Sequence, residues 1–531
     1  MQRSARWEGN GPSRGPWSTA RGAPAVPWRP GRGHRSPDSA PNGPSIRPVP
    51  ARVGPHYHRP MSDETSPAKT TRIERDSMGE MEVPADALYG ASTQRAVLNF
   101  PISGQRMPRR FLRALAMVKI AAAETNVGLG LLDAQKGAAI EAAAQEVAEG
   151  RWDEHFPIDI YQTGSGTSTN TNMNEVISHL ASARLGGTKI HPNDDVNKCQ
   201  SSNDTIPTAL QLSGAVAIEE ELIPALIDLQ AALAAKSSEF WDVVKTGRTH
   251  LQDATPIRLG QEFAGYAGQV EEAIRRAQAA RDELLTVPLG GTAVGTGINA
   301  HPEYAARACG HLSEMTGLLV REAPNHFHAQ ATLDAAIAAH GGLRAIALGL
   351  WKIASDIRFM GMGPRAGLAE LALPETQPGS SIMPGKVNPV IVESLTMVVA
   401  RVIGNDATVA FGQTGSFLEL NVMLPVTTQA LLESVALLAA SARNFRIKLV
   451  EGLRATERGP KLVEQGLMLA TALAPEIGYD AAAALAKEGF KSGRTIRELA
   501  LEKGIAPDKL DDLLDPAKMT EPGLEGGGAG G

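Results

Sequence analysis

Long helical patterns are the feature that most constrains how this chain can fold. Residues 328–360 run without a proline, and similar Ala- and Leu-rich patterns cover 210–245, 259–285, 390–415 and 424–450. In the first of these stretches apolar residues recur at helical spacing, at Leu333, Ile337, Leu343, Ile346, Leu350, Ile353 and Ile357. Small residues on several faces let helices approach closely. We therefore predict a mainly α fold built on a bundle of long helices, with more than one face buried, as in an oligomer.

The composition is typical of a globular protein and excludes several classes. Hydrophobic residues make up 43% of the 531 residues and charged residues 21%. No run of 18 apolar residues occurs, so neither a membrane span nor a membrane partner is predicted. The two cysteines, Cys199 and Cys309, cannot ligate an iron–sulfur cluster, and no Cys/His group has metal spacing. We expect no metal, and a reducing compartment: the cytoplasm, with an organelle matrix as the alternative.

The first 60 residues differ from the rest in charge and composition. They hold 10 Arg, no Lys, two acidic residues and 12 Pro, a net charge of +8, which leaves −14 for the remainder. The acidic main part gives no reason to expect nucleic-acid binding. The extension cannot bury enough apolar surface to offset its ordering entropy, so it is predicted to be disordered. Its prolines also oppose the amphipathic helix of a transit peptide.

The chain is predicted to consist of five segments. Met61, an alternative initiator, begins the second of them. The segments are a disordered basic extension (1–60), an N-terminal domain (61–198), a central long-helix domain (199–457), a small C-terminal helical domain (458–516) and a disordered tail (517–531).

Four polar segments interrupt the apolar helical pattern. The first is YQTGSGTSTNTNMNE (161–175), the second HPNDDVNKCQSSND (191–204), the third TGRTHLQDATP (246–256) and the fourth GSSIMPGKVNP (379–389). Any one of them, taken alone, could be explained by turns and helix caps. Four together, each leading towards a predicted helix, indicate a converging binding site. Hydroxyls, amides, helix N-termini and Lys386 suit a small anion with several oxygens, such as a di- or tricarboxylate.

Other kinds of site fit the sequence poorly. No P-loop occurs, and the Gly-rich stretch LGGTAVGTGIN (289–299) fits neither that motif nor a dinucleotide turn, so we interpret it as a structural turn. Ser380 lies outside a G-x-S-x-G elbow and has no adjacent base, which disfavours a serine hydrolase. His250, beside Thr249 in a polar segment, is an acid–base candidate.

The fourth polar segment resembles the signature of the fumarase/aspartase superfamily. The resemblance to class II fumarate hydratases extends from 73–95 to 491–499, about four-fifths of the chain. Three residues favour fumarases over aspartases: Gly385 where aspartases typically carry Ala, His250 where they carry Gln, and Ser202 where they carry Thr.

This resemblance implies a hydro-lyase that reversibly hydrates fumarate to (S)-malate in the tricarboxylic acid cycle, without metal or organic cofactor. It implies that Ser380 takes the carbon-bound proton through an aci-carboxylate intermediate. His250 would be the partner acid, and Glu393 would orient His250. The substrate-binding set that the resemblance implies is Ser165, Gly166, Thr167, Ser201, Ser202, Asn203, Thr249, Ser381, Lys386, Val387 and Asn388.

The implied fold is the three-domain fumarase/aspartase-like fold, whose central helices form a tetrameric core. Each active site would draw residues from three chains. Because a serine hydroxyl is a poor base, we expect backbone N–H groups, Lys386 and the helix starting near Pro389 to stabilise the Ser380 anion. A Gly-rich loop that closes over the substrate would bring these groups together and exclude water.

One departure from the family and two alternative functions stay open. The family's second, non-catalytic dicarboxylate site would fall on His191, Pro192, Asn193 and Asp194. Thr188 stands where an arginine often helps that site, which counts against binding there. An aspartate ammonia-lyase is the first alternative, and His250 argues against it. A non-catalytic structural member, such as a lens crystallin, is the second, and the intact Ser380, His250, Lys386 and Glu393 argue against that.

Overall fold

Helices make up most of the described structure. The computed structural model describes residues 70–522, so the extension predicted at 1–60 lies outside the described residues. The helices within this range are α1 (Ala91–Asn99), α2 (Arg109–Gly128), α3 (Ala134–Ala148), α4 (Thr167–Arg184), α5 (Ser202–Ala217), α6 (Ile223–Glu239), α7 (Leu259–Glu283), α8 (Tyr304–Thr316), α9 (His326–Ala331), α10 (Asp334–Met360), α11 (Val390–Gly412), α12 (Leu424–Lys448), α13 (Arg458–Val463), α14 (Ala474–Ile477), α15 (Tyr479–Ser492), α16 (Ile496–Glu502) and α17 (Pro507–Leu513).

The strands of residues 70–522 form small two-stranded sheets. Four pairs are antiparallel and one, β5 with β6, is parallel. The pairs are β1 (Thr71–Asp76) with β2 (Gly79–Pro84), β3 (Val244–Thr249) with β4 (Gln252–Arg258), β5 (Thr286–Val287) with β6 (Arg321–Glu322), β7 (Leu371–Ala372) with β10 (Arg454–Ala455), and β8 (Ser416–Phe417) with β9 (Leu420–Asn421).

Five long helices form a closed ring at the centre of the fold. Helix α6 packs on α7, α7 on α10, α10 on α11, α11 on α12, and α12 returns to α6. Their apolar stripes face inward, and Leu229, Leu343, Val402 and Val435 are fully buried there. The ring confirms the predicted mainly α fold with a long-helix bundle, and burial of these stripes is what stabilises helices of this length.

Two of the predicted helices have different bounds. The pattern at 328–360 is split into α9 and α10, because the Leu333 N–H donates to the Gln413 side-chain oxygen (2.8 Å). The pattern at 210–245 ends at Glu239, and Val244 begins strand β3 instead. The hydrogen bond to Gln413 in the first place, and the pairing of β3 with β4 in the second, overrode the helical periodicity.

The last helices pack around a second, smaller apolar core. Leu473, Leu485, Leu499 and Leu510 are its buried centre. The Gln261 amide donates to the Thr520 carbonyl oxygen (2.9 Å), so residues at the start of the predicted tail contact the protein. The five segment boundaries stay predictions.

One stretch of the described residues, 424–452, is long and apolar enough to cross a membrane by length and composition. Its best window has a mean hydropathy of 1.3. About three-fifths of that window is buried inside the protein, because the stretch contains α12 of the helical ring. This pattern is also the one that the core helix of a folded domain produces.

Candidate active site

The first polar segment runs into the N-terminus of α4. Gly166 precedes the helix with φ 71, a left-handed conformation that favours glycine. A Cβ at this position would lie 2.7 Å from the Ile206 side chain on α5, so only glycine allows the close approach. The Ser165 hydroxyl lies 2.8 Å from that of Thr167. Three members of the predicted binding set therefore lie together at one helix start.

The second polar segment caps the N-terminus of α5 with its side chains. The Ser201 hydroxyl accepts a hydrogen bond from the Asn203 N–H (3.3 Å), and Asp204 accepts one from the Ser201 N–H (2.9 Å). This is a reciprocal capping box, and Ser202 begins the helix. The predicted set Ser201, Ser202 and Asn203 thus surrounds a second helix N-terminus.

Asp204 also holds the Gly-rich turn at 289–299, for which the sequence predicts a structural role. Its carboxylate is fully buried and accepts hydrogen bonds from the N–H groups of Gly290 (3.0 Å) and Thr292 (2.9 Å). Burial raises the pKa of Asp204, and the three backbone N–H donors oppose that shift. The Asn203 amide donates to the Ala293 carbonyl oxygen (2.8 Å), so this turn lies directly against the second polar segment.

The first and second polar segments lie next to each other. The side-chain amides of Asn170 and Asn174, on α4, both donate to the Asn197 side-chain oxygen (3.2 Å each). With the contact between Gly166 and Ile206, these bonds place the N-termini of α4 and α5 side by side. Two adjacent helix N-termini lined by hydroxyl side chains are suited to bind an anion.

The third polar segment forms the β3–β4 hairpin, with His250 at its tip. Thr249 pairs with Gln252, so His250 and Leu251 are the two-residue loop, with φ 54 and 59. These positive values are those of a type I′ turn, which usually needs Asn or Gly. His250 and Thr249 are exposed, and Leu251 is 76% exposed. The hairpin presents the candidate acid away from the body of the chain.

A buried ion cluster anchors this hairpin. Arg248 forms a two-bond pair with Glu370 (2.9 and 3.0 Å), and Lys245 lies 3.1 Å from Glu370 and 3.2 Å from Glu262. Burial raises the pKa of Glu262, and Lys245 opposes the shift. Glu370 is 1% exposed and directly precedes β7, from which the chain continues to the fourth polar segment. One carboxylate therefore links the hairpin to the start of β7, the strand that leads towards the fourth polar segment.

The fourth polar segment folds back on itself around Ser380. The Ser380 hydroxyl oxygen accepts hydrogen bonds from the N–H groups of Ile382 (3.3 Å) and Met383 (3.0 Å). The Gly379 N–H donates to the Lys386 carbonyl oxygen (2.9 Å), and a Cβ at Gly379 would lie 2.3 Å from that oxygen. The Asn388 amide donates to the Gly379 carbonyl oxygen (2.5 Å). The backbone thus directs two N–H donors at the candidate base.

The other predicted residues of this region lie at the surface of the chain. Ser381, Lys386, Val387 and Glu393 are exposed, and Glu393 lies in the first turn of α11. Within residues 70–522, no hydrogen bond or ion pair joins His250, Ser380 and Glu393 to one another. A cavity of about 730 Å³, lined by Gln211, His328 and Asp334 among others, contains none of the predicted site residues.

The HPND stretch forms a single π-helical turn, Pro192–Val196. The Nδ1 atom of His191 accepts hydrogen bonds from the N–H groups of Asn193 (3.3 Å) and Asp194 (3.0 Å). This nitrogen therefore caps its own turn, and Nε2 is the one that could face a ligand. Binding at His191, Pro192, Asn193 and Asp194 stays a prediction.

Sequence reasoning missed two groups of residues near the site. Lys119 stands alone in the apolar stretch of α2, and a lone lysine in such a stretch could have indicated a buried role. No sequence pattern indicates that Glu370 pairs with Arg248, because the two residues lie 122 positions apart. Among residues 70–522, no group of three or more His, Cys, Asp or Glu side chains could hold a metal ion.

Comparison with known proteins identifies the family. The profile described as Lyase matches residues 79–404, and the profile described as Fumarase C C-terminus matches residues 469–521. The chain is 50% identical over 472 residues to the class II fumarate hydratase of Methylorubrum extorquens, covering 88% of this chain and all of that protein. It is 51% identical over 457 residues to the class II fumarate hydratase of Mycobacterium tuberculosis, covering 85% and 96% of the two chains.

A solved structure gives the same result for the fold. The crystal structure of class II fumarase from Schistosoma mansoni superposes with a TM-score of 0.83 at 38% identity, covering 85% of this chain and 99% of that one. These matches confirm the resemblance carried by the fourth polar segment. The chain is an enzyme of the lyase family and belongs to the class II fumarate hydratases.

Proposed function

We propose that this enzyme reversibly hydrates fumarate to (S)-malate, as a step of the tricarboxylic acid cycle, with Ser380 as base and His250 as acid. The main support for this proposal is the environment of the Ser380 side chain. Its oxygen accepts two backbone N–H bonds, within a loop that also carries Lys386 and leads into the N-terminus of α11. These donors and charges favour the serine anion over the neutral hydroxyl, because each interacts more strongly with the negative oxygen.

The steps balance in the direction from malate to fumarate. The Ser380 oxygen takes the proton bound to carbon 3, and the electrons of that C–H bond move into the adjacent carboxylate to form the aci-carboxylate. Those electrons then form the double bond as the carbon 2–oxygen bond breaks. His250 donates the proton that converts the leaving hydroxyl to water, while Glu393 orients its ring. Fixed donors that face the developing charge supply the largest part of the stabilisation.

The substrate carboxylates would bind where the first and second polar segments meet. Hydroxyls of Ser165, Thr167 and Ser201 lie there at the N-termini of α4 and α5. Lys386 would approach from the fourth polar segment and balance the second negative charge. We place the reaction in the cytoplasm, because Cys199 and Cys309 are both free thiols.

We also propose that the enzyme is a tetramer whose sites are shared between chains. Large apolar side chains on the ring helices are exposed in the single chain, among them Met397 (68%), Phe411 (65%) and Trp351 (44%). Exposed patches of this kind mark protein–protein interfaces. Sharing would also explain why His250 and Ser380 lie on separate exposed segments with no bond between them.

The test follows fumarate formation from (S)-malate by ultraviolet absorbance. Ser380→Ala and His250→Asn should each lower kcat about 10²–10⁴-fold with little change in stability, since within residues 70–522 neither side chain hydrogen-bonds outside its own segment. Ser492→Ala, an exposed serine on α15, should keep full activity. Release of ammonia from aspartate, with no change on malate, would instead support the ammonia-lyase.

Mixing the two inactive variants tests whether the sites are shared. If Ser380 and His250 of one site come from different chains, equal amounts unfolded and refolded together should regain about a quarter of the activity, because random assembly reunites the two intact residues in one site of four. A mixture that stays inactive, although its sedimentation mass is that of a tetramer, would mean that both residues come from one chain.

A further inference from the structure

Lys119 is a fully buried lysine in the middle of α2. Its ammonium donates to three side-chain amide oxygens, those of Asn170 (2.7 Å), Asn197 (3.0 Å) and Gln200 (2.9 Å). No carboxylate of residues 70–522 lies within ion-pair distance of it. Burying an ammonium is costly, and a carboxylate partner usually offsets the cost. A charge kept here with amide partners alone calls for a reason beyond packing.

The three amides belong to the first and second polar segments. Asn170 lies in the first turns of α4, and Asn197 and Gln200 directly precede α5. The same amides are also tied to the backbone: Asn197 donates to the Gln200 carbonyl oxygen (3.1 Å), and Gln200 donates to those of Val196 and Lys198. Lys119 is therefore the common centre that fixes the two segments to each other.

Its charge lies close to two helix N-termini. Asp204 is the carboxylate whose charge acts on Lys119, but its oxygens already accept the N–H groups of Ser201, Gly290 and Thr292. Burial lowers the pKa of Lys119 to about 7, and the Asp204 charge opposes that shift. A dianion bound at the start of α4 and α5 would favour the charged form further. The ammonium and the partial charges of the two helix N-termini are all positive, so all of them attract an anion.

We propose that Lys119 is a positioning residue for the dicarboxylate: it holds the N-termini of α4 and α5 together and adds its positive charge to theirs. This inference rests on the proposed function, because it assigns Lys119 to the same substrate site. Lys119 lies beneath the site and does not take part in the proton transfers.

The test measures the binding of succinate, a dicarboxylate that cannot react, by calorimetry, together with the kinetics on (S)-malate. Lys119→Met removes the charge. Asn170→Asp keeps Lys119 and its oxygen contact but cancels the charge, at the loss of one 3.2 Å hydrogen bond to Asn197. Both should weaken succinate binding and raise KM about tenfold, with a smaller change in kcat, which is the usual scale for one nearby charge.

The matched control is Lys236→Met. Lys236 is a buried lysine on α6 that is paired with Glu239 (2.7 Å) and donates to the Leu453 carbonyl oxygen (2.8 Å). Succinate binding and KM should be unchanged in this variant. If it weakened binding as much as Lys119→Met, the loss of any buried lysine would account for the result, and the proposal would be wrong.

The remaining outcomes are also decisive. Unchanged succinate binding in Asn170→Asp would overturn the proposal, even if Lys119→Met binds poorly, because the charge would then not matter. If Lys119→Met fails to fold, Asn170→Asp decides alone. Wild-type protein that binds succinate in a Lys119-dependent way, yet converts neither malate nor fumarate, would contradict the proposed function and support the role of Lys119.

Discussion

At the scale of single residues, the candidate base and acid are held in opposite ways. Ser380 is enclosed by its own loop, with two N–H groups directed at its oxygen. His250 lies at the exposed tip of a hairpin, where both loop residues have positive φ. The left-handed conformation costs a residue with a Cβ about 1–2 kcal/mol, so the hairpin stores strain at the position of the candidate acid.

Leu251→Asn should release part of that strain. Asparagine adopts the left-handed region more readily than leucine, so we expect the free energy of unfolding to rise by about 0.5–1 kcal/mol. Leu319→Asn is the matched control, because Leu319 is also exposed (59%) but is not among the residues with positive φ. The measurement is urea-induced unfolding at fixed protein concentration. Equal changes in the free energy of unfolding for the two variants would contradict the proposed strain at Leu251.

At the scale of elements, one ion cluster joins the hairpin that carries His250 to strand β7, from which the chain continues to the fourth polar segment. Lys245 and Arg248 lie on β3, which carries the hairpin, and Glu262 lies on α7. Glu370 pairs with Lys245 and Arg248 and directly precedes β7, from which the chain continues to the fourth polar segment. A shift of Glu370 would therefore move the supports of both His250 and Ser380.

Glu370→Gln should lower both stability and activity. Removing one partner from a buried ion cluster leaves Lys245 and Arg248 short of negative charge, which typically costs about 3–5 kcal/mol. Asp511→Asn breaks the exposed pair with Arg497, so we expect a loss of less than about 1 kcal/mol there. Thermal unfolding and kcat on (S)-malate check both variants. Wild-type stability in Glu370→Gln would show that the cluster does not anchor these segments.

At the scale of the whole molecule, the helical ring and its neighbours bury several weak acids. Burial raises the pKa values of Tyr266 and Tyr304, and it raises that of Cys309 to about 12, from an ordinary value of 9.0. The folded protein therefore keeps protons that the unfolded chain releases in alkaline solution. These groups stabilise the fold fully below their unfolded pKa values.

Stability should therefore fall as the pH rises from about 9 to about 12, because the unfolded chain binds fewer protons there than the folded one. Cys309→Ala should make that decline shallower, whatever constant difference it shows at pH 7. The measurement is the free energy of unfolding at a series of pH values for both proteins. Parallel curves would mean that the Cys309 thiol does not contribute.

The sequence by itself determined the family and the positions of most long helices, and it predicted the residues of the candidate site. The fourth polar segment indicated the family, because its characteristic residues lie close together in the sequence and form a recognisable motif. These residues are Gly379, Ser380, Lys386 and Asn388. Helical periodicity located α7, α11 and α12, because one buried stripe repeats along each of them. It was wrong at Leu333, where Gln413, 80 positions away, captures the backbone N–H.

Only the tertiary structure decided which distant groups lie beside the segments of the candidate site. Lys119 meets its three amides across 51 to 81 positions, and Arg248 meets Glu370 across 122. The physical reason is that burial and hydrogen-bond partners depend on how the helices pack. The sequence does not show whether a given lysine or glutamate faces water or the core.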